Sequence, residues 1–236
     1  VTEKRIILVT GASQGIGRAA ALQLASEDTH IIAVARSKLA LEELGNAMVE
    51  VGGEATLVPL DLADDAGTKA LGRAVMETFG RLDGFLANAG VLGTLGPLAT
   101  IGPRSFAETI DINLTANWRL IQALTIPMQE GRDPRAVFVT SSVARTPRAF
   151  WGPYQASKAG LEALALGWAE ETEASGFKVN LFDPGGTRTK MRANAMPGEN
   201  PETLPTPERV AEHLVPLLMA EETRNKQLIR AKDLLS

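Results

Sequence analysis

Six short runs rich in apolar and β-branched residues recur along the chain, at 5–10, 30–35, 55–60, 84–87, 135–140 and 177–182, with a weaker seventh at 227–230. Their hydrophobicity is nearly continuous rather than alternating, which marks strands covered on both faces. The intervening segments carry helical spacing instead. Ile16, Ala19, Ala20 and Leu24 share one face after the first run, Leu39, Leu44 and Met48 follow the second, and Leu71, Val75 and Met76 follow the third. Repeated β-α-β of this kind predicts an α/β fold: a Rossmann-type doubly wound parallel sheet of about seven strands with helices on both faces. A length of 236 residues suits a single domain.

Charge and composition narrow the chemistry. With 24 basic and 28 acidic side chains the net charge is -4, so neither a nucleic-acid backbone nor an anionic membrane surface is an expected partner. The absence of cysteine, together with only two histidines, argues against a metal site. Catalysis then falls to oxygen or lysine groups, or to a cofactor. No stretch approaches the roughly 18 apolar residues of a membrane span. Glu3 and Lys4 precede the first strand and Arg5 opens it, so no signal peptide is expected and the protein is read as cytoplasmic. Four prolines between 197 and 207 interrupt all periodicity, predicting a mobile surface loop, with a substrate loop at about 187–207.

Directly after the first strand stand Thr10, Gly11, Ala12, Ser13, Gln14, Gly15, Ile16 and Gly17, and a helix-favouring stretch follows. Gly11 suits a positive φ, Gly15 allows backbone N–H groups to approach a pyrophosphate, and Gly17 lets the helix lie against the sheet. Ser13, Gln14 and Ile16 complete this cradle. A glycine pattern by itself also describes a plain turn, but its position between strand and helix favours a dinucleotide. The second strand ends in Val34, Ala35, Arg36 and Ser37, without the acid that binds an unmodified ribose. The Arg36 guanidinium and Ser37 hydroxyl suit a 2′-phosphate, so NADP(H) is favoured and NAD(H) is the alternative. A merely solubilising arginine is the competing reading. Asp61, followed by Leu62, is placed either to accept from an adenine amino group or to cap the next helix.

Tyr154, the only tyrosine, and Lys158 are one helical turn apart and therefore share a face. A free phenol has a pKa of about 10, so proton transfer near neutrality requires a shift of roughly three units, which a nearby ammonium and an oxidised nicotinamide supply together. Ser141 and Ser142 end the fifth strand and Asn88, Ala89 and Gly90 the fourth, on the sheet edge where open α/β folds bind ligands. Alone, each of these is an ordinary feature. Their convergence on one crevice is the stronger signal.

In this order and spacing, the motifs from Thr10 to Gly17, Asp61-Leu62, Asn88-Ala89-Gly90, Asn113 within Asp111-Ile112-Asn113-Leu114, Ser141-Ser142, Tyr154 to Lys158 and Pro184-Gly185 resemble the short, single-domain branch of the short-chain dehydrogenase/reductase family over nearly the whole chain. Residues 140–143, 151–154 and 184–193 more narrowly resemble its bacterial YciK-type branch, whose name brings no substrate with it. The resemblance implies NADP(H)-dependent interconversion of a small-molecule carbonyl and a secondary alcohol. Tyr154 is then the acid-base, and Lys158 lowers its pKa and bonds the nicotinamide ribose. Asn113 kinks a helix so that its backbone holds a relay water.

Many family members place the carbonyl-orienting serine thirteen residues before the tyrosine, at Ser141 here; motif alignment selects Ser142, which is preferred. Asn88, Ala89 and Gly90 would line the adenosine side, and Pro184, Gly185, Thr187 and Thr189 the carboxamide side. Leu92, Val143, Arg145, Phe150, Trp151 and the loop 191–207 would border the substrate, with Arg145 or Arg192 either binding an anionic substrate or simply solvated. A homodimer or homotetramer through the long helices is also implied. Two rivals are a non-catalytic dinucleotide-binding regulator and an epimerase or dehydratase of the longer branch. The latter requires a substrate domain for which the chain has no room.

Overall fold

The computed structural model describes residues 4–26 and 28–235. Seven strands form one parallel sheet in the order β3-β2-β1-β4-β5-β6-β7. They are β1 (Arg5–Thr10), β2 (Thr29–Ala35), β3 (Glu54–Pro59), β4 (Gly84–Ala87), β5 (Arg135–Val139), β6 (Lys178–Asp183) and β7 (Leu228–Arg230). The weak run near the carboxyl terminus does form a strand, paired with β6 through Leu181, Phe182 and Asp183. Among the described residues eight α-helices accompany them: α1 (Gly15–Leu24), α2 (Lys38–Glu50), α3 (Asp65–Phe79), α4 (Pro103–Ile110), α5 (Ala116–Gln129), α6 (Gly152–Thr172), α7 (Lys190–Ala195) and α8 (Pro207–Leu214).

The pleat divides each strand between two cores. Ile6 and Leu8 of β1 join Ile32, Val34, Phe85 and Phe138 against α3, α5 and α6. Ile7 and Val9 join Ile31, Ala33, Leu86 and Val137 against α1, α2 and α8. Edge-to-face contacts link Phe85, Phe138, Trp168 and Phe177 across the first core, with centroids 5.5 to 6.1 Å apart. Local signals set the helix ends. Asp64 caps α3 by accepting from the Gly67 N–H at 3.0 Å, and Gly80, at φ 70°, closes it in the left-handed conformation.

Three sequence expectations need correction. Leu39 is 66% exposed, and the buried face of α2 is instead Leu41, Leu44 and Met48, whose spacings of three and four match the helical period. The final helix stops at Leu214 and tightens into a 3-10 turn over Val215–Leu218, where Pro216 lacks an N–H to donate. The region 187–207 carries structure: α7 and a 3-10 turn at Pro201–Thr203 lie within it. Among the described residues, no helix is long and apolar enough to cross a membrane, and no cluster of three or more His, Asp or Glu is placed to hold a metal ion.

The neighbour relation β3-β2-β1-β4 reverses direction between β1 and β4, so the connections leaving these two strands diverge and open a crevice at the carboxyl edge. The site occupies it.

Candidate active site

Gly11 and Gly15 take φ of 65° and 56°, which a side chain would strain. Gly17 is buried and serves as clearance: a Cβ there would stand 2.3 Å from the Gly11 carbonyl oxygen and 2.4 Å from Asn88 Nδ2. The Asn88 amide donates to the carbonyls of Thr10 at 3.0 Å and Gly11 at 3.3 Å. Thr10 Oγ1 in turn accepts from the N–H groups of Asn88 and Ala89. The cradle is thereby fixed to the end of β4. Ser13, Gln14, Gly15 and Ile16 line the cleft, and Gln14 caps α1 with no side-chain bond, leaving the first-turn N–H groups without a side-chain acceptor.

At one end the cleft is walled by Val34, Ala35, Arg36, Leu60, Asp61 and Leu62. Arg36 is exposed there. Ser37 is absent from this wall, because its hydroxyl accepts from Ala40 N–H as the N-cap of α2. Asp61 is not a helix cap; it accepts locally from Ala63 N–H, while Asp64 caps α3. Asn88, Ala89 and Gly90 follow along the floor. Pro184, Gly185, Thr187 and Thr189 close the opposite side, with Thr187 Oγ1 donating to the Pro184 carbonyl and Thr189 capping α7. An extended dinucleotide fits this cleft: a free guanidinium at one end, unoccluded helix-head amides in the middle, and a floor at Gly90 where a Cβ would crowd Asn113 Oδ1 at 3.2 Å.

Tyr154 and Lys158 lie at the other end, both buried on the first turns of α6, where Pro153 suits the start of the helix. Lys158 Nζ donates to the Val139 carbonyl at 2.8 Å and stands 5.9 Å from the Tyr154 ring centroid. Burial pushes the ammonium down to about 8, with Glu162 opposing. Burial pushes the phenol up to about 12; the Ser141 hydroxyl pulls it back and the Asp183 charge raises it further. In the protein alone desolvation is the larger influence on the Tyr154 phenol, and the downward shift expected of Lys158 together with an oxidised nicotinamide belongs to the cofactor-bound site.

The serine facing the phenol is Ser141, which lines the cleft. Ser142, preferred from the motif, is exposed and does not line it. The backbone explains this. Ser141 keeps the extended conformation of the strand at φ -157° and ψ 151°, and the 3-10 turn Ser142–Ala144 begins one residue later. Asn113 sits in a π turn, Asp111–Thr115, between α4 and α5. Its side chain accepts from Val91 N–H at 2.8 Å and donates to the Val91 carbonyl and to Ser157 Oγ, both at 2.9 Å. Its backbone carbonyl accepts from Asn117 Nδ2 at 2.9 Å.

The bordering residues divide. Leu92 and Trp151 line the cleft with Met191 and Ala195, and Val143 packs beside Trp151 and Tyr154. Phe150 is 59% exposed and lies outside it. Arg145, expected to be solvated or substrate-facing, is instead paired inside the protein with Glu162 and, at 2.5 Å, with Asp183. Neither acid was singled out from the sequence. Glu162 was legible as one turn beyond Lys158, and Asp183 as the residue before Pro184.

A doubly wound sheet carrying a dinucleotide cradle, with serine, tyrosine and lysine gathered at the far end of the same cleft, defines a nucleotide-dependent oxidoreductase architecture. Residues 5–200 match the family model described as short chain dehydrogenase, and the chain belongs to that family. It is 37% identical over 228 residues to the uncharacterized oxidoreductase YciK of Escherichia coli, covering 94% of this chain and 88% of that one. It is 35% identical to an uncharacterized NAD-dependent oxidoreductase of Mycobacterium tuberculosis, covering 79% of this chain and 73% of the relative. A short chain dehydrogenase from Escherichia coli CFT073, crystallised with NADPH, superposes with a TM-score of 0.91 at 34% identity, over 98% of this chain and 97% of that one.

Proposed function

We propose that this chain catalyses reversible hydride transfer between NADP(H) and a carbonyl or secondary alcohol carbon, with Tyr154 as the acid-base. The observation that carries this is the meeting of Ser141, Tyr154 and Lys158 in the cleft that also holds the glycine cradle. The nicotinamide, when bound, supplies or accepts the hydride. In the reducing direction the Tyr154 hydroxyl donates its proton to the carbonyl oxygen, and the Ser141 hydroxyl donates a hydrogen bond to the same atom. Lys158, held by the Val139 carbonyl, returns a proton toward the phenol, and the π turn at Asn113 fixes the neighbouring backbone. A phenol raised to about 12 by burial holds its proton near neutrality; both releasing it readily and withdrawing one from an alcohol call for the added positive charge of the bound oxidised cofactor.

NADP(H) rather than NAD(H) is proposed because Arg36 opens onto the adenosine end and no acid follows it before Lys38. The NADPH complex of the Escherichia coli CFT073 protein supports this; the NAD-dependent Mycobacterium tuberculosis relative is the reason to test it. Association with a second copy through α5 and α6 is part of the proposal, supported by Trp118 standing 45% exposed on α5.

The decisive experiment replaces Tyr154 with Phe. Turnover of a carbonyl panel is lost while NADPH binding persists; undiminished turnover refutes the assignment. Arg36→Asp should weaken NADPH by about tenfold or more and spare NADH, as expected for loss of a charge-assisted hydrogen bond. Equal binding of both cofactors by the unmodified protein overturns the cofactor choice.

A further inference from the structure

We infer that the substrate end of the cleft takes an uncharged aromatic or alicyclic ketone and excludes carboxylated ones; this rests on the oxidoreductase reading above. Beyond Tyr154 the wall is apolar: Leu92, Trp151, Met191 and Ala195 face the cleft. Trp151 meets the Tyr154 ring edge-on at 5.8 Å and is only 8% exposed, so it presents a fixed flat surface beside the reacting hydroxyl. Met191 adds an adaptable thioether wall suited to irregular apolar shapes.

The cations decide the charge class. Among the described residues Arg192 is the guanidinium lining this end, and one edge of it is ion-paired: Nε and a terminal nitrogen donate to the two Glu199 oxygens at 2.5 and 2.6 Å. Arg145 is bound to Glu162 and Asp183. Lys158 is buried and donates to the Val139 carbonyl. Arg148 stacks on Trp151 at 5.3 Å, exposed and outside the lining. Lys190 lines the cleft but is exposed, so its ammonium stays hydrated at the rim rather than buried against the apolar wall. Two guanidiniums, Arg145 and Arg192, are thus paired with three internal carboxylates, Glu162, Asp183 and Glu199, and Lys158 is held by a backbone carbonyl. An entering carboxylate would lose its water at an apolar wall whose nearby guanidiniums already carry carboxylate partners, a penalty that an uncharged ketone of the same shape avoids.

The test uses the full chain loaded with NADP and two ketones of equal size, para-acetylbenzamide and para-acetylbenzoate. Binding to the NADP complex is followed by tryptophan fluorescence, with Trp151→Phe as the variant that should lose the signal, and turnover is followed by NADPH consumption. The neutral ketone should bind and react with at least about a tenfold higher kcat/KM, the discrimination a misplaced charge readily produces. Glu199→Gln, which frees Arg192, should narrow that gap to about threefold or less. The inference is overturned if para-acetylbenzoate binds or reacts as well as its neutral twin, or if the neutral ketone fails to bind. Tight binding of the neutral ketone without turnover would leave the substrate class standing and refute hydride transfer; turnover favouring the carboxylate would do the reverse.

Discussion

Arg145→Met isolates the internal ion pairing behind Tyr154 and Lys158. The guanidinium joins the short turn after β5 to Glu162 on α6 and to Asp183 at the end of β6, with side-chain exposures of 27%, 13% and 6% respectively. Methionine keeps much of the volume and removes the charge, leaving two largely buried carboxylates. Thr140 Oγ1 still donates to Glu162 at 2.5 Å and Gly185 N–H to Asp183 at 3.1 Å, so each acid keeps one partner. Breaking a buried pair costs about 3–5 kcal/mol; the partial exposure of Arg145 and the surviving bonds argue for the lower end, about 3 kcal/mol. For a domain of this size that lowers the Tm by roughly 6–12 °C.

Thermal and urea unfolding measure the loss, and Arg145→Met combined with Glu162→Gln should recover about half of it, since the cycle then removes one stranded charge. Asp183 already raises the Tyr154 phenol and Glu162 already raises Lys158. Unscreened, both push harder, and the pH profile of alcohol oxidation should move to higher pH. A destabilisation below about 1 kcal/mol, of the size of an exposed pair, with an unmoved pH profile, would refute this account of the bridge.

Ser141→Ala should cost about 10²–10³ in kcat, the usual loss for a donor to the reacting oxygen, and Ser142→Ala should leave kcat near that of the unmodified protein; the opposite ranking restores Ser142 to the role its motif suggested. Stability should rise between about pH 8 and 10, because unfolded Lys158 holds its proton to about 10.5 while the folded residue releases it near 8, so the unfolded state binds more protons in that interval. Above about 10 the sign reverses, since the Tyr154 phenol ionises earlier unfolded than at its folded value of about 12. Lys158→Met should flatten the rise and keep the fall, as read by urea midpoints across pH.

The strand runs were legible because a strand covered on both faces needs little beyond local hydrophobicity, and the observed bounds of β1 and β4 match the expected ones. The cradle was legible too, since its glycines answer to local backbone demands. What escaped depends on distant partners. Whether Ser141 or Ser142 faces Tyr154 is decided by where β5 releases its chain into a turn, a one-residue choice that motif spacing left open. Arg145 looked like a surface residue because its two acids lie 17 and 38 residues further along the chain. The phenol's upward shift follows from burial, which no spacing of four residues reveals.

The Asn88 amide, reaching back to the Thr10 and Gly11 carbonyls, makes the nucleotide seat a product of two chain segments separated by more than seventy residues. No amino-terminal fragment ending before β4 can present that seat, so a ribosome must translate past Asn88 before cofactor binding begins to hold the nascent protein together.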